Sequence, residues 1–216
     1  MSGCVDLIKK NFLIIKNYYV ILSLSAFIMP FAVSRLGAEH YGGILPLLMQ
    51  AAFTLYFSYN QLTFVESKYK SDTFLCTTPY ARKTQVVAMY MTVLCEYCGI
   101  LLIYYILSLL HVGNIPSLTF FRAAIVTGII VLMYSIFIPA LYLLGYDKAR
   151  YVPAAATFII PYAARLISKI PFPQINNSID FHWGTSYGML IMCVIVLVFL
   201  GLSVKMAGKW YKEKEL

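Results

Sequence analysis

Two stretches leave this chain little choice of solvent. Residues 123–144, "AAIVTGIIVLMYSIFIPALYLL", and residues 185–204, "TSYGMLIMCVIVLVFLGLSV", each run without a single charged side chain. A helix needs roughly 20 apolar residues to cross the hydrocarbon core of a bilayer. No water is present there to bond exposed amides, so only structures that satisfy their own backbone can span it. The runs are continuous rather than alternating, which argues against the period of two in a membrane β-barrel. Composition points the same way. Of 216 residues, 61% are hydrophobic and only 12% are charged, about half the roughly 25% of a soluble domain. The expectation is an all-α membrane protein that crosses the bilayer several times.

Six spans are predicted, at residues 18–36, 44–65, 86–110, 123–144, 152–167 and 185–204. The first and fifth are short and contain Pro30 and Pro161, which predicts tilting, kinking or shielding by neighbours. No internal repeat or low-complexity linker divides the chain, so residues 1–216 read as one transmembrane domain. Orientation follows from Lys and Arg in alternate breaks. Lys9, Lys10 and Lys16, then Lys68, Lys70, Arg82 and Lys83, then Lys148 and Arg150, and finally Lys205, Lys209, Lys212 and Lys214 all fall on one side. The other side keeps Arg35, Arg122, Arg165 and Lys169. The positive-inside rule therefore predicts that both termini are cytoplasmic. A net charge of +8 distributed in this way is a topology signal, not a nucleic-acid footprint.

Cys4, Cys76, Cys95, Cys98 and Cys193 form no disulfide framework: three lie in apolar runs and two in predicted cytoplasmic segments. Nothing near the start reads as a cleaved signal peptide. Over residues 1–17, Val5, Ile8, Phe12 and Ile15 recur at helical spacing with Asp6, Lys9, Lys10 and Lys16 largely on other faces. That pattern predicts an amphipathic helix at the cytoplasmic surface, the alternative being a solvated arm.

The densest polar island is "ESKYKSDTFLCTTPYARKTQVV", residues 66–87. Glu66 and Lys70 stand four apart in the favourable order for a helical pair. Asp72 precedes "TFL", and Thr78-Pro79 reads as a cap followed by proline at a first helical position. The segment is thus expected to be a stiff elbow, charged on one side and apolar on the other. Composition leaves two readings open: a docking element for a partner protein, or a loop whose charges only set orientation.

Glu96 is the one ionisable group well inside a predicted span, and an acid at that depth is a functional candidate by default. It could bind a cationic part of a cargo or pair with a group on another span or subunit, or serve the fold as a protonated acid bonding a neighbouring backbone group or tyrosine hydroxyl. Tyr56, Tyr59, Tyr104, Tyr105 and Tyr134 lie in or near spans and could line a route for an amphipathic molecule. His40, His111 and His182 are scattered over predicted outer breaks. "GLSVKMAGKW", at residues 201–210, is the nearest approach to a phosphate-binding loop. It fails, with six residues between its glycines and Trp210 where a hydroxyl is needed. Any ATP consumed on behalf of this chain has to be hydrolysed elsewhere.

Taken together, "ESKYKSDTFLCTTPYARKTQVVAMY", the turn "GYDKARY" at residues 145–151 and the basic end "SVKMAGKWYKEKEL" resemble small ABC type-2 transporter permeases. In that family an acidic residue and a lysine follow the second span, then a "sLP-x-sRk-x-iV" stretch leads into the third. Glu66 and Lys68 match the charged start, Thr78-Pro79 the "LP" region, Arg82-Lys83 the basic pair and Val86 or Val87 the valine. Threonine before the proline, and Tyr80-Ala81 in place of small residues, depart from the pattern. The resemblance implies the permease subunit of a bacterial ABC exporter in the plasma membrane. Residues 66–85 would be a coupling helix seated in a separate ATPase subunit, with Glu66, Lys68, Lys70, Asp72, Arg82 and Lys83 at the contact. Asp147, Lys148 and Arg150 would make a second cytoplasmic contact. Residues 168–184 would form an extracellular, re-entrant element, an ordinary loop being the alternative. No cofactor is expected on this chain, because ATP and magnesium would sit on the ATPase. A second permease copy or sister permease and membrane lipids complete the expected partners, and the cargo would be a peptide or other amphipathic molecule.

Overall fold

A chain with so few polar groups to spare has to satisfy its backbone locally, and it does so with helices. The computed structural model describes residues 2–35, 44–69, 82–110, 115, 117–118, 120–155, 157, 159 and 186–213, and all regular structure among them is helical. Helix α1 (Ser2–Ile15) passes through one 3-10 turn (Lys16–Tyr18) directly into α2 (Tyr19–Arg35). Then come α3 (Ile44–Lys68), α4 (Arg82–Leu109), α5 (Phe120–Leu144), the short α6 (Tyr146–Ala149) and α7 (Ser186–Glu213). Residues 151–155 are also helical.

Four stretches among the described residues are long and apolar enough to cross a bilayer: Gly3–Arg35, Lys83–Leu109, Arg122–Leu144 and Cys193–Tyr211. They overlap the predicted first, third, fourth and sixth spans. The predicted second span is a helix of 25 residues, about 37 Å long, yet it is not among the four. The reason is chemical. α3 carries Gln50, Thr54, Ser58, Asn60, Gln61 and Thr63, and it is packed against α2, α4 and α5 rather than left to lipid. A helix whose neighbours cover it can keep polar groups, provided that those groups find partners. Most of the predicted fifth span, and the segment at 168–184, lie outside the described residues.

Two of those partners solve a problem that proline creates. Pro30 inside α2 and Pro139 inside α5 each lack an amide hydrogen, which frees the carbonyl four residues earlier. Those carbonyls belong to Ala26 and Ser135. Gln50 Nε2 of α3 donates to the Ala26 oxygen at 2.8 Å. Ser203 Oγ of α7 donates to the Ser135 oxygen at 2.6 Å. Ser203 also shares a hydrogen bond with the Tyr90 hydroxyl of α4. A side chain from an adjacent helix thus takes the place of each missing amide, as an apolar surround demands. These bonds help to position α2 on α3, and α7 on α5 and α4.

The core that results joins all the long helices, through residues such as Leu22, Leu47, Leu55, Leu62, Tyr97, Ile130 and Ile138. α1 joins it too. Its buried row is Leu7, Asn11 and Ile15, while Val5 is 51% exposed. The apolar face predicted from Val5, Ile8, Phe12 and Ile15 is therefore rotated. The cause is Asn11, which is buried because its Nδ2 donates to Thr92 Oγ1 of α4 at 3.0 Å. α1 is packed against α4 and α3, so it serves as a bundle element and not merely as a surface helix.

Candidate functional site

Polar side chains from different helices meet at one end of the bundle, where α3 stops and α4 begins. Five helices meet there. Glu66, in the last turn of α3, accepts a hydrogen bond from Lys10 Nζ of α1 at 2.7 Å, with side-chain exposures of 20% and 31%. The expected partner of Glu66, Lys70, lies outside the described residues. The observed one is fifty-six positions away. Gln85, in the first turn of α4, is buried and accepts at Oε1 from the Tyr211 hydroxyl of α7, at 2.5 Å. Tyr211 is itself buried, its ring 4.8 Å from that of Tyr142 of α5. Lys83 is exposed. Its stem runs along α7, since a Cβ placed on Gly208 would lie 3.9 Å from Lys83 Cγ.

These groups enclose a cavity of about 20 Å³ lined by Leu7, Lys10, Asn11, Glu66, Gln85, Ala88, Met89, Tyr142 and Tyr211. That is room for about one water molecule. Gln85 Nε2 has no partner there. Nothing the size of a cargo fits there.

Of the other residues expected at an ATPase contact, Lys68 is exposed, with its ammonium 5.6 Å from the Tyr69 ring centre. Asp72 lies outside the described residues, and Arg82 opens α4. The expected second contact is the turn after α5. Gly145 makes it, with φ +75°, a conformation that side chains with a Cβ resist. Asp147 and Lys148 follow in α6, and Lys148 is exposed. Arg150 lies 5.9 Å from the Tyr146 ring and 5.0 Å from that of Tyr151. Its Nη2 donates to the Tyr151 hydroxyl at 2.9 Å, and this bond raises the guanidinium pKa further above its ordinary value. The Tyr146 ring also meets Phe64 of α3 at 6.0 Å, which ties this turn to the same end of the bundle.

Deeper in the bundle, Glu96 on α4 is partly buried and has Ser58 of α3 as a hydrogen-bond partner. Its Oε1 has none. Tyr59, Tyr104 and Tyr134, expected to line a route, are packed in the core of the single chain. Tyr59 and Tyr134 meet edge to face at 5.6 Å, and the Tyr59 hydroxyl donates to the Phe137 oxygen at 3.3 Å. Tyr56 is partly buried, and Tyr105 is 48% exposed on the outer face of α4. Cys95 and Cys98 also face outward from α4. Asn11, Gln85 and Tyr211 were missed by sequence reasoning. Local sequence carried no advance signal, because Asn11, Gln85 and Tyr211 each stand next to or near a basic residue (Lys10, Lys83 and Lys212) in segments expected at the polar surface.

Fold and junction together define a multi-pass helical membrane protein. The chain belongs to the ABC-2 transporter family: the family described as ABC-2 family transporter protein matches residues 6–212, nearly its whole length. No individual curated protein and no solved structure matches it. Membership makes the chain a membrane-embedded permease subunit of an ABC transporter, a kind of subunit that works with an ABC ATPase and typically has no catalytic site of its own.

Proposed function

We propose that this permease forms half of the translocation pathway of a bacterial ABC exporter in the plasma membrane. It crosses six times, with both termini in the cytoplasm. Residues 66–85 are its coupling element, docked on a separate ATPase that holds the ATP and magnesium, with Glu66, Lys68, Lys70, Asp72, Arg82 and Lys83 around the contact. Asp147, Lys148 and Arg150 make the second contact, and two permease copies, or one copy and a sister subunit, enclose the route. The cargo is a peptide or another amphipathic molecule. The observation that carries this reading is the junction just described: Glu66 and Gln85, at the two ends of the 66–85 connection, both line a cavity where five helices meet. A push on that connection is therefore delivered to most of the bundle.

The test is charge reversal, Arg82→Glu with Lys83→Glu, read by ATPase co-purification and ATP-driven export from vesicles. Both should fall together. Unchanged co-purification and export would remove this segment from the contact. The unpartnered Oε1 of Glu96 favours a second reading, an ion-coupled carrier. Cargo movement that follows a proton gradient and ignores ATP would select that reading.

A further inference from the structure

Glu66 and Gln85 are the feet of the 66–85 connection, and each has a partner far away in sequence. Glu66 is held by Lys10 of the first helix, and Gln85 by Tyr211 of the last, 126 positions away. We propose that α1 and α7 are the output arms of the coupling connection, joined to it by this two-sided latch of Lys10–Glu66 and Tyr211–Gln85. The proposal rests on the coupling reading above, and it adds which parts of the body receive the motion.

The argument is one of alternatives. Tyr211 and Gln85 are 1% and 9% exposed, so nothing beyond the single water their cavity has room for can take up their bond once it opens, and a buried polar group left underpaired is costly. When the feet move, α1 and α7 must either follow or lose those bonds. Following is the easier course, because each arm has a second attachment on α4. Asn11 bonds Thr92 two turns further along, and Gly208 lies against the Lys83 stem. The Tyr142 ring, tilted against that of Tyr211, passes the same displacement to α5. A merely structural bond would stabilise the fold without making the response of one arm depend on one residue, and that difference is measurable.

The experiment uses the full permease with its co-purified ATPase in lipid nanodiscs, read by amide hydrogen exchange with and without ATP plus vanadate. In the unmodified complex, nucleotide should change exchange at the two feet, in α1 and at the inner end of α7. Tyr211→Phe keeps the ring on Tyr142 and removes only the hydroxyl. It should abolish the change in α7 while leaving that in α1. Lys10→Met should do the reverse, and the swap Lys10→Glu with Glu66→Lys should restore the α1 response. The swap also guards against a simple folding defect, since it retains the pair. Unaltered nucleotide responses in both single variants would overturn the latch while leaving the coupling reading in place. No nucleotide response at the feet of the unmodified complex would bring down both.

Discussion

Ser203→Ala should be costly for a reason that lies on another helix. The Ser203 hydroxyl donates to the carbonyl that Pro139 frees at Ser135 and is itself bonded to Tyr90. Deleting it strands two groups. A hydrogen bond between membrane helices averages about 0.6 kcal/mol and reaches about 1.7, and an unsatisfied buried group costs about 1–3 kcal/mol. Two such losses at a site 5% exposed come to about 1–3 kcal/mol once partial relaxation is allowed. The informative step is to repeat the substitution in a Pro139→Ala background. Alanine restores an amide at position 139, so the Ser135 carbonyl no longer needs Ser203. The cost of Ser203→Ala should then fall by about 1 kcal/mol, leaving mainly the Tyr90 share. Reversible unfolding in bicelles, run as a double-mutant cycle, measures the difference. An equal cost in both backgrounds would refute the claim that Ser203 stands in for the missing amide.

Three further outcomes follow from the same geometry. Gln50→Leu should destabilise by about 1 kcal/mol, and less in a Pro30→Ala background, because Gln50 serves the Ala26 carbonyl; the same bicelle assay decides it. Gly145→Ala should cost about 1–3 kcal/mol through backbone strain alone, since no heavy atom lies within 4 Å of the added Cβ; Gly201→Ala, equally uncrowded but without a positive φ, should be close to neutral in the same melting experiment. Lys10→Glu and Glu66→Lys should each lower stability, and the double swap should recover most of the loss, about 1 kcal/mol for a partly buried pair.

The helices were legible in the sequence wherever lipid or a packed core demanded unbroken apolarity, as at residues 123–144. α3 was legible as a long helix, but its polar side chains lower its apolarity, and only its neighbours explain why they are tolerated. The rotated face of α1 shows the limit of apolar periodicity. Asn11 counts as polar in any pattern, yet Thr92, 81 positions on, draws it inside. Pro30 announced a break without naming Gln50 as its remedy, and Pro139 went unremarked because its run is so apolar. At the candidate site, Glu66 could be found from charge, while Gln85 and the pairings with Lys10 and Tyr211 could not. Pairings over such separations are set by how helices pack, and local spacing carries no trace of them.

The most direct trial of the account is a photo-cross-link from Cys76, within the 66–85 connection, after the other four cysteines are replaced. With benzophenone maleimide on that thiol and the intact complex in membranes, irradiation should join the permease to its ATPase, and added nucleotide should change the yield. An intact complex that gives no such adduct, or a Cys76 that reacts only with reagents applied from outside the cell, would contradict it.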